Sequence, residues 1–133
     1  MSKKRVLVVD DEAEVRKSVR LILSKAGYDV IEAEDGVAGI SAVKSGDNPL
    51  AVDAIICDLD MPNMSGMEAI PSFLFQFPSC PIIILSGSGK LESATRLFKP
   101  GVLFKRGVVE FLSKPINQNQ LLDAVTKAVN TGG

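Results

Sequence analysis

The chain contains no histidine. That gap excludes Ser-His-Asp and Cys-His nucleophilic catalysis, zinc sites built on imidazole, and any phosphoryl relay through a histidine of its own. Cysteine is nearly as scarce. Cys57 and Cys80 are the two present, and their spacing matches no metal motif. One falls at the end of a predicted strand and the other just before the start of another, which places them at opposite edges of a parallel sheet. They read as small buried hydrophobes, not as a disulfide. No apolar run approaches the ~18–20 residues of a membrane span, and no secretory apolar region precedes Asp10. Neither sign of charge dominates, with 15 Lys and Arg against 16 Asp and Glu, so no surface is marked for direct nucleic-acid binding. A cytoplasmic protein is the default expectation.

What the sequence does have is a regular alternation of two periods. Its 133 residues, 46% of them hydrophobic, suit a single domain over 1–133 with a core of its own. Short apolar runs at 6–9, 29–33, 53–57, 81–85 and 108–112 read as strands. Between and after them lie helical patterns at 13–26, 37–44, 66–77, 90–106 and 118–130. In the first, Val15, Val19, Ile22, Leu23 and Ala26 recur at helical spacing and Gly27 closes the helix. Five strand-then-helix units predict a parallel sheet with right-handed crossovers and helices on both faces.

Two of the strands end in acid. Val6-Leu7-Val8-Val9 runs into Asp10-Asp11, and Ile55-Ile56-Cys57 runs into Asp58. In a parallel sheet both ends open on the same side, so the three carboxylates should converge. At about 5 Å apart they repel by roughly 3 kcal/mol per pair at an effective dielectric of 20. A cation offsets that repulsion, and a few hard oxygen ligands suit Mg²⁺. Singly, the features have plainer readings. An Asp pair before a helix often caps it, Lys114 before Pro115 reads as an exposed lysine, and Ser86 in Ser86-Gly87-Ser88-Gly89 reads as turn chemistry.

Taken together, these residues resemble the receiver domain of two-component response regulators, the CheY-like superfamily, over essentially the whole chain. The resemblance rests on Asp10-Asp11 after the first strand and on Asp58 with Met61-Pro62-Asn63-Met64-Ser65-Gly66 after the third. Ser86 after the fourth strand and Phe111-Leu112-Ser113-Lys114-Pro115 at the fifth complete it. It implies a flavodoxin-like α/β fold with strand order 2-1-3-4-5 and Mg²⁺-dependent phosphorylation of Asp58. By the same resemblance, Asp11 and Asp58 hold the metal through side chains and Asp60 through its carbonyl, with Asp10 acting through water. Lys114 pairs with Asp58 and then with the phosphoryl group, and a cis peptide before Pro115 aims it inward. Ser86 and Phe111 form the switch, although Phe111 lacks the hydroxyl that would reward an outward position, and a plain core role stays open for it. The implied partner is a histidine kinase or a histidine phosphotransfer protein.

The chain departs from the family pattern in three places. The interval from Ser86 to Lys114 is longer than usual, with the extra residues around 98–105. Pro71 falls inside a predicted helix, and Gly87 replaces a residue that is more often alanine. Pro100-Gly101 predicts a break in the helical pattern at 90–106, and Val102, Leu103 and Phe104 cannot all face a core. The segment 97–106 is therefore expected to contact an effector domain or a second copy. A haloacid-dehalogenase-type phosphohydrolase shares the Asp58-Leu59-Asp60 pattern but places it on the first strand and its acidic pair late, the reverse of this order. A pseudo-receiver that binds partners without phosphate is the other alternative, and the complete acidic set argues against it. The chain is read either as a stand-alone receiver or as one cut from a longer protein.

Overall fold

The structure, a computed structural model, describes residues 4–44, 52–58, 75, 80–87 and 108–131. Five strands form one parallel sheet: β1 (Arg5–Val9), β2 (Asp29–Ala33), β3 (Ala54–Asp58), β4 (Ile82–Ser86) and β5 (Val108–Ser113). Their order across the sheet is β2-β1-β3-β4-β5, as the resemblance implied. The described helices are α1 (Ala13–Lys25), α2 (Gly36–Lys44) and α3 (Gln118–Thr131). The helices expected over 66–77 and 90–106 lie outside the described residues, apart from Phe75, which is helical and exposed.

The central strands are apolar on both faces because both faces are covered. Val6, Leu7, Val8 and Val9 are fully buried, as are Ile55, Ile56, Ile83, Ile84 and Leu85. Each such side chain contributes about 1.5–3 kcal/mol relative to exposure. Alternation along the strands sorts them by face. Val6, Val8, Ala54, Ile56, Ile83 and Leu85 pack with Val19 and Leu23 of α1 and with Leu121, Val125 and Ala128 of α3. Asp10 and Asp58 continue the alternation of that face. Ser86 follows Ile82 and Ile84 on the other, and Phe111 is in register with Ile84.

Three helix ends are built from local signals. α1 finishes in a Schellman arrangement in which Tyr28 N–H donates to the Leu23 carbonyl (3.0 Å) and Gly27 N–H to that of Ser24 (3.1 Å). Gly27 takes φ 95° there, so Ala26, expected inside the helix, instead forms its exposed C-cap. At α2, Asp35 Oδ1 accepts from Ala38 N–H at 2.8 Å. At α3, Asn117 Oδ1 accepts from Gln120 N–H at 3.0 Å.

The strands overrun their apolar runs. β3, β4 and β5 each continue one residue past the expected end, because Asp58 pairs with Leu85 and Ser86 with Ser113. Ser86 is thus the last residue of its strand, not the first after it. Between the pairs Ile82–Val108 and Ile83–Glu110, β5 holds one extra residue, a β-bulge.

Gly27→Ala should lower stability by about 1–2 kcal/mol, the cost of a Cβ in the left-handed region. Space is not the obstacle, since no atom lies within 4 Å of a Cβ built there. Equal urea midpoints for variant and wild type would contradict this account of the α1 terminus.

Candidate functional site

The carboxyl edge of the sheet gathers the expected residues. Asp10 follows β1, Asp58 ends β3, Ser86 ends β4, and Lys114 follows β5. Asp10, Asp58 and Ser86 are buried, while Asp11 is exposed. Asp60 lies outside the described residues, as does the segment 97–106. Ser86 Oγ reaches the Gly87 carbonyl at 3.4 Å, a weak contact. Gly87 has no atom within 4 Å of where a Cβ would stand, so the alanine usual in the family would fit.

Lys114 closes the edge. Its Nζ lies 2.9 Å from Asp10 Oδ2, 3.0 Å from Glu12 Oε1 and 3.4 Å from Asp58 Oδ2. Its backbone N–H donates to the Ser86 carbonyl at 2.8 Å, which extends the β4–β5 ladder one step and fixes where the side chain starts. The Lys114–Pro115 peptide is cis, as expected. Burial pulls the lysine's pKa down, but contact with Asp10 and Glu12, together with the charge of Asp58, outweighs it and holds the ammonium above the usual lysine range. The exposed-lysine reading of Lys114 is excluded, since its side chain is 15% exposed.

Asp10 does two things. Oδ1 accepts from Glu12 N–H at 2.8 Å and ties down the turn into α1, but the capping reading of the pair does not hold: the N-cap is Glu12, and no side-chain cap bond is made. Oδ2 is buried and, among the described residues, accepts no well-directed hydrogen bond; its contact with Lys114 is ionic and off-axis. Burial is the largest influence on Asp10 and raises its pKa above the ordinary carboxylate range, against the lowering effects of the Glu12 N–H and of Lys114. Held by an ion pair and no directed hydrogen bond, this oxygen keeps a lone pair that a hard divalent cation suits. Carboxylate oxygens of Asp10, Asp11 and Glu12 lie within 4.8 Å of one another, so the donor set fits an ion of the Mg²⁺ type.

Two residues at this edge escaped the sequence reading. Glu12 adds a carboxylate and holds Lys114 from the α1 side. Arg16 donates from Nη1 to the Asp10 carbonyl while its Nε faces Glu32 Oε1 at 3.4 Å, and Arg20 also pairs with Glu32, at 2.8 Å. The signal for both was their distance from Asp10 along the start of α1. The cysteines behave as expected. Both are free and buried, with the Cys57 thiol pushed up by burial and the Cys80 thiol up to about 12 for the same reason.

An acidic edge closed by one lysine, on a five-stranded parallel sheet of this order, is the architecture of a receiver domain. Residues 6–126 match the family model described as the response regulator receiver domain, and the chain belongs to that family. It is 32% identical to the chemotaxis protein CheY of Thermotoga maritima over 125 residues, which cover 93% of this chain and 96% of that one. It is also 32% identical over 124 residues to the transcriptional regulatory protein GlrR of Escherichia coli, of which the match covers 26%, so the chain spans about a quarter of that relative. A solved receiver domain protein from Clostridium thermocellum superposes with a TM-score of 0.80 at 29% identity, covering 95% of this chain and 94% of the other. Among the described residues no helix is long and apolar enough to cross a membrane.

Asp10 gives a signed pH dependence. A buried acid whose folded-state pKa is raised binds its proton more tightly in the folded than in the unfolded chain. The metal-free protein therefore loses stability as pH rises from the ordinary carboxylate range through Asp10's raised value. Asp10→Asn removes that loss. In urea unfolding without divalent metal, the stability of the variant relative to wild type should increase as pH rises from about 4 to 7. A pH-independent difference between the two would overturn the assignment.

Proposed function

We propose that the chain is a phosphoacceptor whose nucleophile is Asp58, and that it signals by changing conformation when phosphorylated. The observation that carries this reading is the Lys114 ammonium, held within ion-pair distance of both Asp10 and Asp58 at the carboxyl edge of the sheet. An Asp58 carboxylate oxygen attacks phosphorus. The bond to the donor's imidazole nitrogen, or to the acyl oxygen of a small acyl phosphate, breaks with its electron pair leaving on the donor. The products are an aspartyl phosphate and the free donor. Phosphoryl transfer needs little covalent help beyond alignment and neutralisation.

Asp11, Asp58 and the Asp60 carbonyl would hold Mg²⁺, with Asp10 contributing through water; the bound ion would neutralise charge on the transferring group. Lys114 neutralises a second part of that charge, and its three ammonium donors can turn to phosphoryl oxygens without moving the backbone. Ser86, whose hydroxyl makes a weak contact with the Gly87 carbonyl, would donate to the phosphoryl group. Phe111 would settle on the face it shares with Ile84 and Ser86. The bias between the two states is then limited to what Ser86 and Lys114 gain in one of them.

In this reading 1–133 is one domain acting in the cytoplasm. A histidine kinase or a histidine phosphotransfer protein supplies the phosphoryl group, and the chain catalyses its own phosphorylation and dephosphorylation. The output passes to an effector domain, or to a second copy, through the segment 97–106.

Incubation with an acyl phosphate and Mg²⁺ should add one phosphoryl group, removable by hydroxylamine, and Asp58→Asn should abolish it. Label that survives this substitution and maps to Ser86 or Ser88 would end the reading. Asp11→Ala should weaken Mg²⁺ binding by on the order of tenfold or more, since loss of even an indirect support typically costs that much. Unchanged Mg²⁺ affinity by calorimetric titration would remove Asp11 from the metal set.

A further inference from the structure

Lys114 is shared unevenly among its neighbours. It donates a hydrogen bond to Glu12 at 3.0 Å, lies 2.9 Å from Asp10, and is farthest, at 3.4 Å, from Asp58. Glu12 reaches it from the start of α1 across 102 positions of sequence. The two side chains differ in setting, with Lys114 15% and Glu12 60% exposed. Both line a groove of about 470 Å³ that continues past Val15, Pro115 and Ile116. The pair thus bridges the largely buried edge, where Lys114 lies, and the wetted mouth of the site, where Glu12 lies.

The charges make the sharing consequential. Among the described residues, Asp10, Asp11, Glu12 and Asp58 set four carboxylates against the Lys114 ammonium, so a bound divalent cation still leaves negative charge in excess. Lys114 is needed at the phosphoryl group, yet in the resting arrangement Glu12 competes for it. An exposed carboxylate competes weakly, because water screens it and replaces the lost contact. A phosphoryl dianion on Asp58 outbids it.

We propose that Glu12 is a positioning residue that draws the Lys114 ammonium toward the mouth of the site, so that Asp58 is the most distant of its three carboxylate partners in the unphosphorylated protein. Its kinetic effect rests on the phosphoacceptor reading of Asp58; its effect on the resting lysine does not. Glu12 in this role restrains the rate of phosphorylation without touching the phosphoryl group. It acts wholly through Lys114, which separates it from a carboxylate that merely repels an anionic donor.

The test uses the whole chain at fixed ionic strength, with phosphoramidate and Mg²⁺ as the phosphorylating mixture. Initial rates are compared for wild type and Glu12→Gln, and for the same pair in a Lys114→Met background. The Lys114 side-chain NMR signal is followed in the metal-free, unphosphorylated protein. Glu12→Gln should shift that signal and raise the rate by roughly twofold to fivefold, the range set by an exposed ion pair. In the Lys114→Met background the gain should disappear. An unmoved Lys114 signal overturns the proposal, and so does an equal gain in both backgrounds, which would leave Glu12 as simple repulsion. If wild type takes no label on Asp58, the phosphoacceptor reading fails by itself, and the Lys114 signal still decides whether Glu12 holds the lysine.

Discussion

Carboxylates that share a confined edge repel one another, and in this fold they cannot separate, because each is fixed to the end of a strand already locked in the sheet. Asp10 and Asp58 are carried by β1 and β3, which pair in register over Val6–Ala54 through Val9–Cys57. Relief has to come from a cation. Among the described residues that cation is Lys114, whose main-chain N–H is bonded to Ser86 while Glu12 and Asp10 receive its ammonium. A guanidinium would present a rigid planar fork, whereas an ammonium is a point charge with three rotatable donors. That geometry lets one residue serve three carboxylates on different elements.

The same edge divides the work between the two faces of the sheet. Asp10 and Asp58 continue the alternation that packs under α1 and α3, while Ser86 and Phe111 continue that of the opposite face. The two sides meet in main chain at this edge, where Lys114 and Ser86 are neighbours in the β4–β5 ladder.

The strands and the three described helices were legible because each depends on where apolar residues fall, whereas the order of the strands came from the family resemblance. Val6 to Val9 and Ile82 to Leu85 are buried on both faces, and such runs admit few other readings. Asp10 and Asp58 were legible because polar residues at the ends of buried strands stand out, whereas Lys114, plain by itself, was legible only through the family resemblance. What the apolar pattern could not report was backbone pairing. Hydrophobicity stops at Cys57 and Leu85, but the ladder goes on to Asp58 and Ser86. Glu12 looked like any acid at a helix start, and its partner lies at the far end of the chain. Arg16 looked like any residue on a solvated helix face, though its guanidinium reaches the Asp10 carbonyl.

The bulge in β5 was equally invisible, since Val108 and Val109 read as an unbroken strand. It works as a frame shift. The extra residue reverses the phase of everything after it, so that Phe111 stands across from Ile84, Leu112 across from Leu85 and Ser113 across from Ser86. Read without it, the same letters would set Glu110 opposite Ile84, Phe111 opposite Leu85 and Lys114 one step beyond its bond to Ser86. The edge strand thus carries its meaning in parity as well as in composition: the same letters in an unbroken strand would exchange the two faces, whereas a strand one residue shorter at this point would keep them.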